Sequence, residues 1–598
     1  MSIVALKKVA LIGVADDKAG VLEAVQAFGG FHLVPLKSAQ KELEAVPSGT
    51  GREATAALRW LVDCPVPRRP LSRAPEFDMN AVIEAANENR RALSAAEDEK
   101  AALARRIRDV ARWGEFTFPA LEDTDGYRFW FYEVPNSKVR HVRPDVGIVE
   151  IVHRSSTTAY MVVLARQEPL ASAMPVPRVH IGSHALSTLE RQLEAVEVRL
   201  DDLWLERRDL TKWRLLLARN LAGARDAAAR RRAALETLDT EHVFVLGGWV
   251  RADKVGEVET LAERWGVASV IEDPAPDDVP PTLLENPPAL AAGEDLVTFY
   301  QTPGYRGWDP SPIVYVSFIV FFGMIMTDAG YGLLLLALIL LLRKRFGTGE
   351  TARRMLRLAI WLCVSTTAFG VITGSYFGWE PTGGGLISRL AFIDLADVEA
   401  MMRLTVTIGV VHVIVANLVN AWNMRGSGER FAPLGWCLVA GGGLAAYLAG
   451  GAGPVAALGI AGIAAGLALV IVFGSNVPVT SAASLARRLM GGLLAGARVV
   501  NLFSDVLSYM RLFALGLAAA SLGATINTLA DQVMHAVPGI GVLVAILVLV
   551  LGHAVNLGLG VIAGTVHGLR LNVIEFFNWG MREEGRPFRP FRKEETRL

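Results

Sequence analysis

The sequence predicts a chain of two parts. The first is a cytoplasmic α+β half, in which two small α/β lobes are joined by a long antiparallel coiled-coil hairpin. The second is a polytopic α-helical membrane domain of about eight segments that ends in two long tilted helices. Three observations predict this class. Hydrophobic residues fill 52 % of the 598 positions while 20 % are charged, and mean hydropathy is +0.35. That mixture suits neither an ordinary soluble enzyme nor a pure membrane bundle. The two properties separate along the chain, with charge in residues 1–310 and runs of Leu, Ala, Val, Ile and Gly in 311–580. Within the charged half, apolar residues recur at alternating steps of three and four, the period of a coiled-coil seam.

Composition removes several function classes. Lys plus Arg and Asp plus Glu both number 60, so no net charge points to nucleic acid as a partner. Cys64, Cys363 and Cys437 are scattered without metal-type spacing and read as small apolar fillers. There is no GxxxxGK[ST] phosphate loop and no nucleophile elbow, and Gly29-Gly30 lacks phosphate-loop spacing. No catalytic residue, cofactor or metal is therefore expected on this chain.

The N-terminal run Met1–Val14 carries Lys7 and Lys8 within it and lacks a cleavage pattern, so it reads as a strand and not a signal peptide. Residues 1–12, 29–36 and 55–63, with a helix at Val21–Phe28, make the first lobe. Strands at Tyr127–Val134, Val146–His153, Ala159–Leu164 and His242–Val250 are assigned to the second. Between them, Leu93, Ala96, Leu103, Ile107 and Val110 mark one helical seam. Leu186, Leu189, Leu193, Val196, Leu200 and Leu203 mark another. The second stretch, about 50 residues, would reach roughly 75 Å. A globular helical domain with the same stripe is the alternative. Asp273–Pro288 is rich in proline and reads as the start of a linker over about 273–310.

Six spans are clear in 311–580: about 356–378, 401–424, 432–450, 454–474, 498–530 and 539–578. The last two exceed the roughly 20 residues that crossing requires, so they tilt or project. Arg343, Lys344, Arg345, Arg353, Arg354 and Arg357 crowd one loop. Glu380, Asp394, Asp397 and Glu399 dominate the next. The positive-inside rule then alternates the loops and places the C-terminal tail, 581–598, in the cytoplasm. Residues 311–342 must enter and return, turning at Thr327–Gly332. A single long first helix, giving seven segments, is the alternative.

The chemistry is expected on the last two helices. Asn501, Ser504, Ser508 and Arg511 share a ~80° sector, and His553, Asn556, His567 and Arg570 a ~100° sector. A cation deep in an apolar run costs roughly 2.5–3.5 kcal/mol, and arginine does not discharge. Packing offers one reading, with Asp505 or Glu575 as the pairing acid. The functional reading sets both arginines against a carboxylate on another subunit, whose ionised form they stabilise. The polar stripes then become aqueous half-channels, with His567 as a proton relay.

Ser504–Leu512 (SDVLSYMRL) resembles the DxLSYLRL segment of subunit a, also called subunit I, of V-type and archaeal-type ATPases. His567–Glu575 (HGLRLNVIE) resembles its HxLRLHxVE segment, and Gly585–Phe591 its closing GxxFxPF. Phe322-Gly323 with Asp328–Gly332, Gly370–Gly378 (GVITGSYFG), Ile408–His412 (IGVVH) and Phe244–Trp249 (FVLGGW) are similar to further segments of that family, in order. The resemblance implies the stator of a rotary ATPase in a prokaryotic plasma membrane. Its soluble arm would hold peripheral stalk subunits of E/G type and meet a d/C-type subunit. Its tilted helices would face the c/K/L proteolipid ring, with ATP chemistry on partner chains. Arg511 and Arg570 match the family's essential arginines, His567 a conserved histidine, and Glu575 a glutamate near the cytoplasmic channel. Asp505, Ser508, His553 and Asn556 complete the expected ion path.

There are departures. Asn572 replaces a histidine and Thr327 a glycine. Ala497, Gly560 and Ala519 stand where eukaryotic members carry Glu, Glu and His, which points to a bacterial or archaeal form. Nothing here selects H⁺ over Na⁺; protons are the default cargo. A secondary transporter and a membrane-anchored scaffold are the competing classes. The first lacks an inverted repeat, and the second leaves the buried arginines unexplained.

Overall fold

The computed structural model describes residues 2–37, 51–119, 122–143, 146–170, 172–182, 184–345, 349–381, 385, 389–478, 480–536, 539–581 and 583–594. Of the expected tail, 582 and 595–598 lie outside the described residues.

The soluble elements run β1 (Leu6–Val14), α1 (Lys18–Phe28), β2 (Phe31–Val34), α2 (Arg52–Val62) and α3 (Met79–Ala111). Asp78 caps α3, its carboxylate accepting from the amides of Asn80 and Ala81. Then come β3 (Arg128–Pro135), β4 (Ile148–Arg154), β5 (Thr158–Ala165), α4 (Leu186–Leu210) and α5 (Arg214–Glu236). β6 (Leu238–Asp239), β7 (Val243–Arg251), α6 (Val255–Trp265) and β8 (Ala268–Glu272) follow. The chain divides into two compact units. One holds residues 1–12, 30–34 and 247–590, the other 13–29, 35–246 and 591–598.

In the second of these units, β3, β5 and β4 form an antiparallel sheet in that order. Its buried row includes Tyr132, Val134, Met161 and Val163. The two helical seams meet: Leu93 and Ala96 bury against Val196 and Leu200, flanked by Leu103 and Leu203. Asn89 reaches the Leu203 carbonyl at 2.9 Å, Lys100 pairs with Glu197 at 2.8 Å, and Arg106 meets His184 at 3.3 Å. Partners therefore descend on one helix as they ascend on the other, so α3 and α4 run antiparallel.

Two expectations are corrected. The strand expected over His242–Val250 in the second lobe is β7, and its residues Gly247–Val250 pair with Phe31–Val34. The second sheet has the order β2-β7-β1-β8, with β6 beside β7. Local alternation identifies a strand but not a partner some two hundred residues away. The long second helix is also not continuous. A 3₁₀ turn, Thr211–Trp213, separates α4 from α5. Thr211 is fully buried there; its hydroxyl donates to the Arg208 carbonyl and accepts from the Arg68 amide at 2.8 Å. Such a back-bonded hydroxyl competes with helix continuation.

The first unit continues through α7 (Ala291–Tyr300) into apolar helices. Two are short, α8 (Ser311–Met326) and α9 (Ala329–Leu342), with Thr327–Asp328 between them. Then come α10 (Glu350–Thr373), α11 (Val398–Asn423), α12 (Phe431–Leu448), α13 (Gly453–Phe473) and α14 (Ala482–Gly496). α15 (Val499–Ser508), α16 (Met510–Ala536) and α17 (Gly541–Arg570) follow. A π-helical turn, Leu571–Phe576, then leads into α18 (Phe577–Gly580). Among the described residues six helical stretches are long and apolar enough to cross a membrane: Glu350–Thr373, Val398–Asn423, Gly428–Leu448, Gly453–Phe473, Ala482–Ala536 and Gly541–Gly580.

Close approach at the α8–α9 junction depends on a glycine. A Cβ at Gly370 would collide with the backbone nitrogen of Ala329. On α7, burial pushes the Glu294 carboxyl above the ordinary carboxylate range, although Arg354 sits 3.1 Å away.

Candidate functional site

The span expected over 498–530 is interrupted at Tyr509, between α15 and α16. That break positions Arg511. Tyr509 is fully buried, and its hydroxyl meets His412 Nδ1 at 2.7 Å. The His412 ring in turn stacks on Phe576, 4.4 Å between centroids and 14° from parallel. Phe576 follows Glu575 in the π-helical turn, so one histidine on α11 touches the supports of both Arg511 and Glu575. π turns add a residue to the helical circuit and re-aim the side chains they carry.

The result is one carboxylate between two guanidinium groups. Glu575 Oε1 lies 3.4 Å from Arg511 Nη1 and 3.8 Å from Arg570 Nε. The glutamate side chain is 2 % exposed, while those of Arg511 and Arg570 are 30 % and 47 % exposed. Two cations and one anion leave a surplus positive charge. Both separations exceed the 2.7–2.9 Å typical of a charge-assisted hydrogen bond. Glu575 Oε2 and His567 Nδ1 are buried without a hydrogen-bond partner among the described residues.

The other expected residues divide. Ser508 donates to the Ser504 carbonyl, and with Ser504 and Arg511 it lines a groove of about 520 Å³ beside Val398 and Phe513. Three of the four stripe residues read from the sequence thus line one groove, and Asn501 is not among its lining. Asp505 is not part of it. Its carboxylate accepts from Trp579 Nε1 at 2.8 Å, and the Arg498 guanidinium lies 4.9 Å over that indole. Asp505 closes α15 onto α18 and leaves the arginines alone. Asn572 donates to the Gly568 carbonyl and is hydrogen-bonded by Ser317.

His553 and Asn556 belong to a second cluster, about 21 Å along the helix from His567 and Arg570 at 1.5 Å per residue. His553 Nδ1 meets the Tyr331 hydroxyl at 2.7 Å, and Nε2 meets Asn527 Oδ1 at 3.0 Å. Asn556 donates to the Tyr331 oxygen at 3.1 Å and to the Ala519 carbonyl at 2.9 Å. Beneath it, the Asp328 carboxylate, 4 % exposed, receives four donors at 2.9 Å: the amides of Tyr331, Phe377 and Gly378 and the Ser375 hydroxyl. Its flanks are strained, with φ of 27° at Thr327 and 53° at Phe377, both non-glycine.

Sequence reasoning did not single out Tyr331, Asn527, His412 or Tyr509 for a role. Tyr331, His412 and Tyr509 lie within the motifs quoted above, but as uncharged polar side chains inside apolar helices they suggested no role of their own.

No family model matches the chain. Over 491 residues it is 29 % identical to the V-type ATP synthase subunit I of Chlamydia pneumoniae, covering 68 % of this chain and 69 % of that protein. It is 28 % identical over 451 residues to the A-type ATP synthase subunit I of Methanocaldococcus jannaschii, covering 69 % of this chain and 64 % of the relative, just under two-thirds of its length. The V-type ATP synthase subunit I of Borreliella burgdorferi aligns over 99 % of both chains at 25 % identity.

Proposed function

We propose a role from one premise: this chain belongs to the V/A-type ATP synthase subunit I family and is a membrane subunit of a rotary ATPase. In this reading it is the stator that passes ions to and from carboxylates on a rotating c/K/L ring. Arg511 and Arg570 face the ring. Their fixed charge stabilises each ring carboxylate in its ionised form, so the acid releases its ion as it passes and reloads beyond.

The observation that carries this reading is the charge imbalance. One same-chain acid, Glu575, lies against two half-exposed arginines, so one positive charge remains to be met from outside the chain. The packing reading, in which the chain's own acids neutralise its arginines, accounts for one guanidinium and leaves the other. Asp505, the second candidate acid, is engaged by Trp579.

The groove beside Arg511 with Ser504 and Ser508, together with His567 and Glu575, is assigned to the cytoplasmic half-channel. His553 and Asn556 are assigned to the opposite one. The short helices α8 and α9 with the six longer stretches make eight membrane segments, with the N-terminal part and the tail in the cytoplasm. The antiparallel α3–α4 pair supports a coiled-coil arm that anchors E/G-type peripheral stalks near a d/C-type subunit. ATP chemistry lies on partner chains, and protons are the cargo.

Arg511→Gln tests the core of this reading. In the whole complex reconstituted in vesicles, ATP-driven ion uptake is abolished while proteolipid and soluble ATPase subunits still co-purify. Uptake at the unmodified rate refutes the role of Arg511.

A further inference from the structure

The Tyr331 cluster is not absorbed by the charge argument, because it contains no arginine and its hydrogen bonds run from Asn527 through His553 and Tyr331 to Asn556. Its hydrogen bonds have a forced direction. Asn527 Nδ2 donates to the Phe377 carbonyl at 2.8 Å, so Asn527 Oδ1 is the atom presented to His553 and can only accept. His553 Nε2 must then carry a hydrogen. In the neutral ring Nδ1 is bare and accepts from the Tyr331 hydroxyl. The Tyr331 oxygen accepts in turn from Asn556, which the Ala519 carbonyl holds at its other donor. Both ends are thus tied to main chain. Tyr331 itself is fixed by its backbone N–H, which donates to the Asp328 carboxylate at the start of α9. A single element can reorient without breaking this scaffold, the Tyr331 O–H.

We propose, on the ion-path reading above, that Tyr331, His553, Asn527 and Asn556 form a two-state proton station whose moving part is the Tyr331 hydroxyl. In the first state the hydroxyl donates to Nδ1 and the imidazole is neutral. In the second, Nδ1 carries a proton and donates to the Tyr331 oxygen. That oxygen now accepts from both His553 and Asn556. A hydronium O–H bond breaks, an Nδ1–H bond forms on the half-buried ring, and the water left behind accepts the Tyr331 hydrogen. Release reverses these bonds, toward water or toward a carboxylate on the rotor.

The groups facing His553 are few. Tyr331 comes from α9, Asn527 from α16, Asn556 from its own helix, and the Phe377 ring lies 6.1 Å away. The charged group whose field reaches it is the Asp328 carboxylate. Three main-chain amides and the Ser375 hydroxyl hold that anion in place. Asp328 is a positioning residue here, since it acts through Tyr331 and through its field.

The test uses the complete complex in vesicles and reads ATP-driven proton uptake across pH, with ATP hydrolysis and co-purifying subunits as assembly controls. Tyr331→Phe keeps the ring but removes the moving hydrogen. His553→Gln keeps hydrogen-bonding capacity but cannot take up a proton. Each is expected to slow uptake about 100-fold, the lower end for loss of a positioned proton donor or acceptor. His553→Gln should also flatten the pH profile, a change that a purely structural defect does not produce. Uptake by both variants at the unmodified rate and with the unmodified pH profile overturns the proposal. Arg511→Gln is run alongside. If it stops uptake while the two variants do not, the station alone fails. If Arg511→Gln pumps normally, the ion-path reading fails with it.

Discussion

Two polar clusters share the helix α17 and are built on opposite principles. Around Asp328 and Tyr331, both carboxylate oxygens, the Tyr331 hydroxyl, Asn527 Oδ1 and both His553 nitrogens have partners at 2.7 to 3.1 Å. Around Glu575, the ion pairs are long, the arginines are half open, and Glu575 Oε2 and His567 Nδ1 are unpartnered among the described residues. Buried polar groups are normally satisfied, and the exceptions call for an explanation. The difference teaches where to look for an absent partner. A complete network needs no partner charge to keep its shape, whereas an incomplete one with surplus charge is shaped to receive one. Burial alone would have ranked the two clusters the same.

The comparison breaks first at the arginines. If the incomplete cluster is the one that meets a partner charge, Arg570→Gln should lower ATP-driven ion uptake about 100-fold or more, as Arg511→Gln does, with little loss of thermal stability. The scale is that of removing one preorganised charge stabiliser from a reacting site. Both side chains are partly exposed, and removal of Arg570 leaves Glu575 beside Arg511 at 3.4 Å. A large fall in melting temperature with uptake preserved would reverse the assignment.

Asp328→Asn probes the complete cluster and should, unlike the arginine variants, lower stability. The amide can accept at one oxygen only, and its NH₂ would face two of the present donors. The cost is about 3 kcal/mol of stability from unsatisfied buried groups, read as a lower melting temperature of the purified complex. A change indistinguishable from zero would mean the four-donor arrangement is not rigid. Glu575→Gln should cost less, about 1 kcal/mol. The buried carboxylate no longer has to be desolvated, and its two arginines reach solvent, which screens the lost attraction. Should Glu575→Gln prove the more damaging of the two, the incomplete cluster would be held by its ion pairs after all.

How much of this was legible in the sequence depends on range. The division of the chain, the six long apolar helices and the seam residues Leu93, Ala96, Val196 and Leu200 follow from periodicity and charge, which are local properties. Arg511 and Glu575, 64 positions apart, meet because two helices pack, and only the composition of each helix was visible beforehand. The choice between Asp505 and Glu575 as the pairing acid was open for the same reason, since Trp579 engages Asp505 from a distant helix. β7 was visible as a strand, but its pairing with Phe31–Val34 was not. The Thr211 break escaped because a single threonine in a long periodic run carries no warning of the Arg68 amide that binds it. Tyr331 and Asn527 were passed over because uncharged polar residues cost little enough in a membrane helix to look incidental.

The smallest effect concerns a histidine outside the membrane part, and it supplies the reference for a purely structural one. His32 Nδ1 accepts from the Arg589 amide at 2.8 Å, and its ring lies 5.4 Å from Phe588, in the tail segment carrying the PF motif. Burial holds the His32 imidazole below its ordinary value of 6.5, with the Arg589 charge acting in the same direction. The unfolded chain therefore binds a proton at this site before the folded chain does. Stability contributed by neutral His32 is present above pH 6.5 and is lost as the pH falls below it, toward the depressed folded value. Protonation places a hydrogen on Nδ1 against the Arg589 N–H and breaks the acceptor bond. Proteolysis of the tail after Gly585 should accelerate on mild acidification, and His32→Gln should remove that pH dependence while leaving the pH profile of ion uptake unchanged. If His32→Gln instead altered the uptake profile as His553→Gln is expected to, a structural histidine and a proton station could not be told apart by pH. The contrast between a network that holds the fold and one that handles the ion would then need a different measurement.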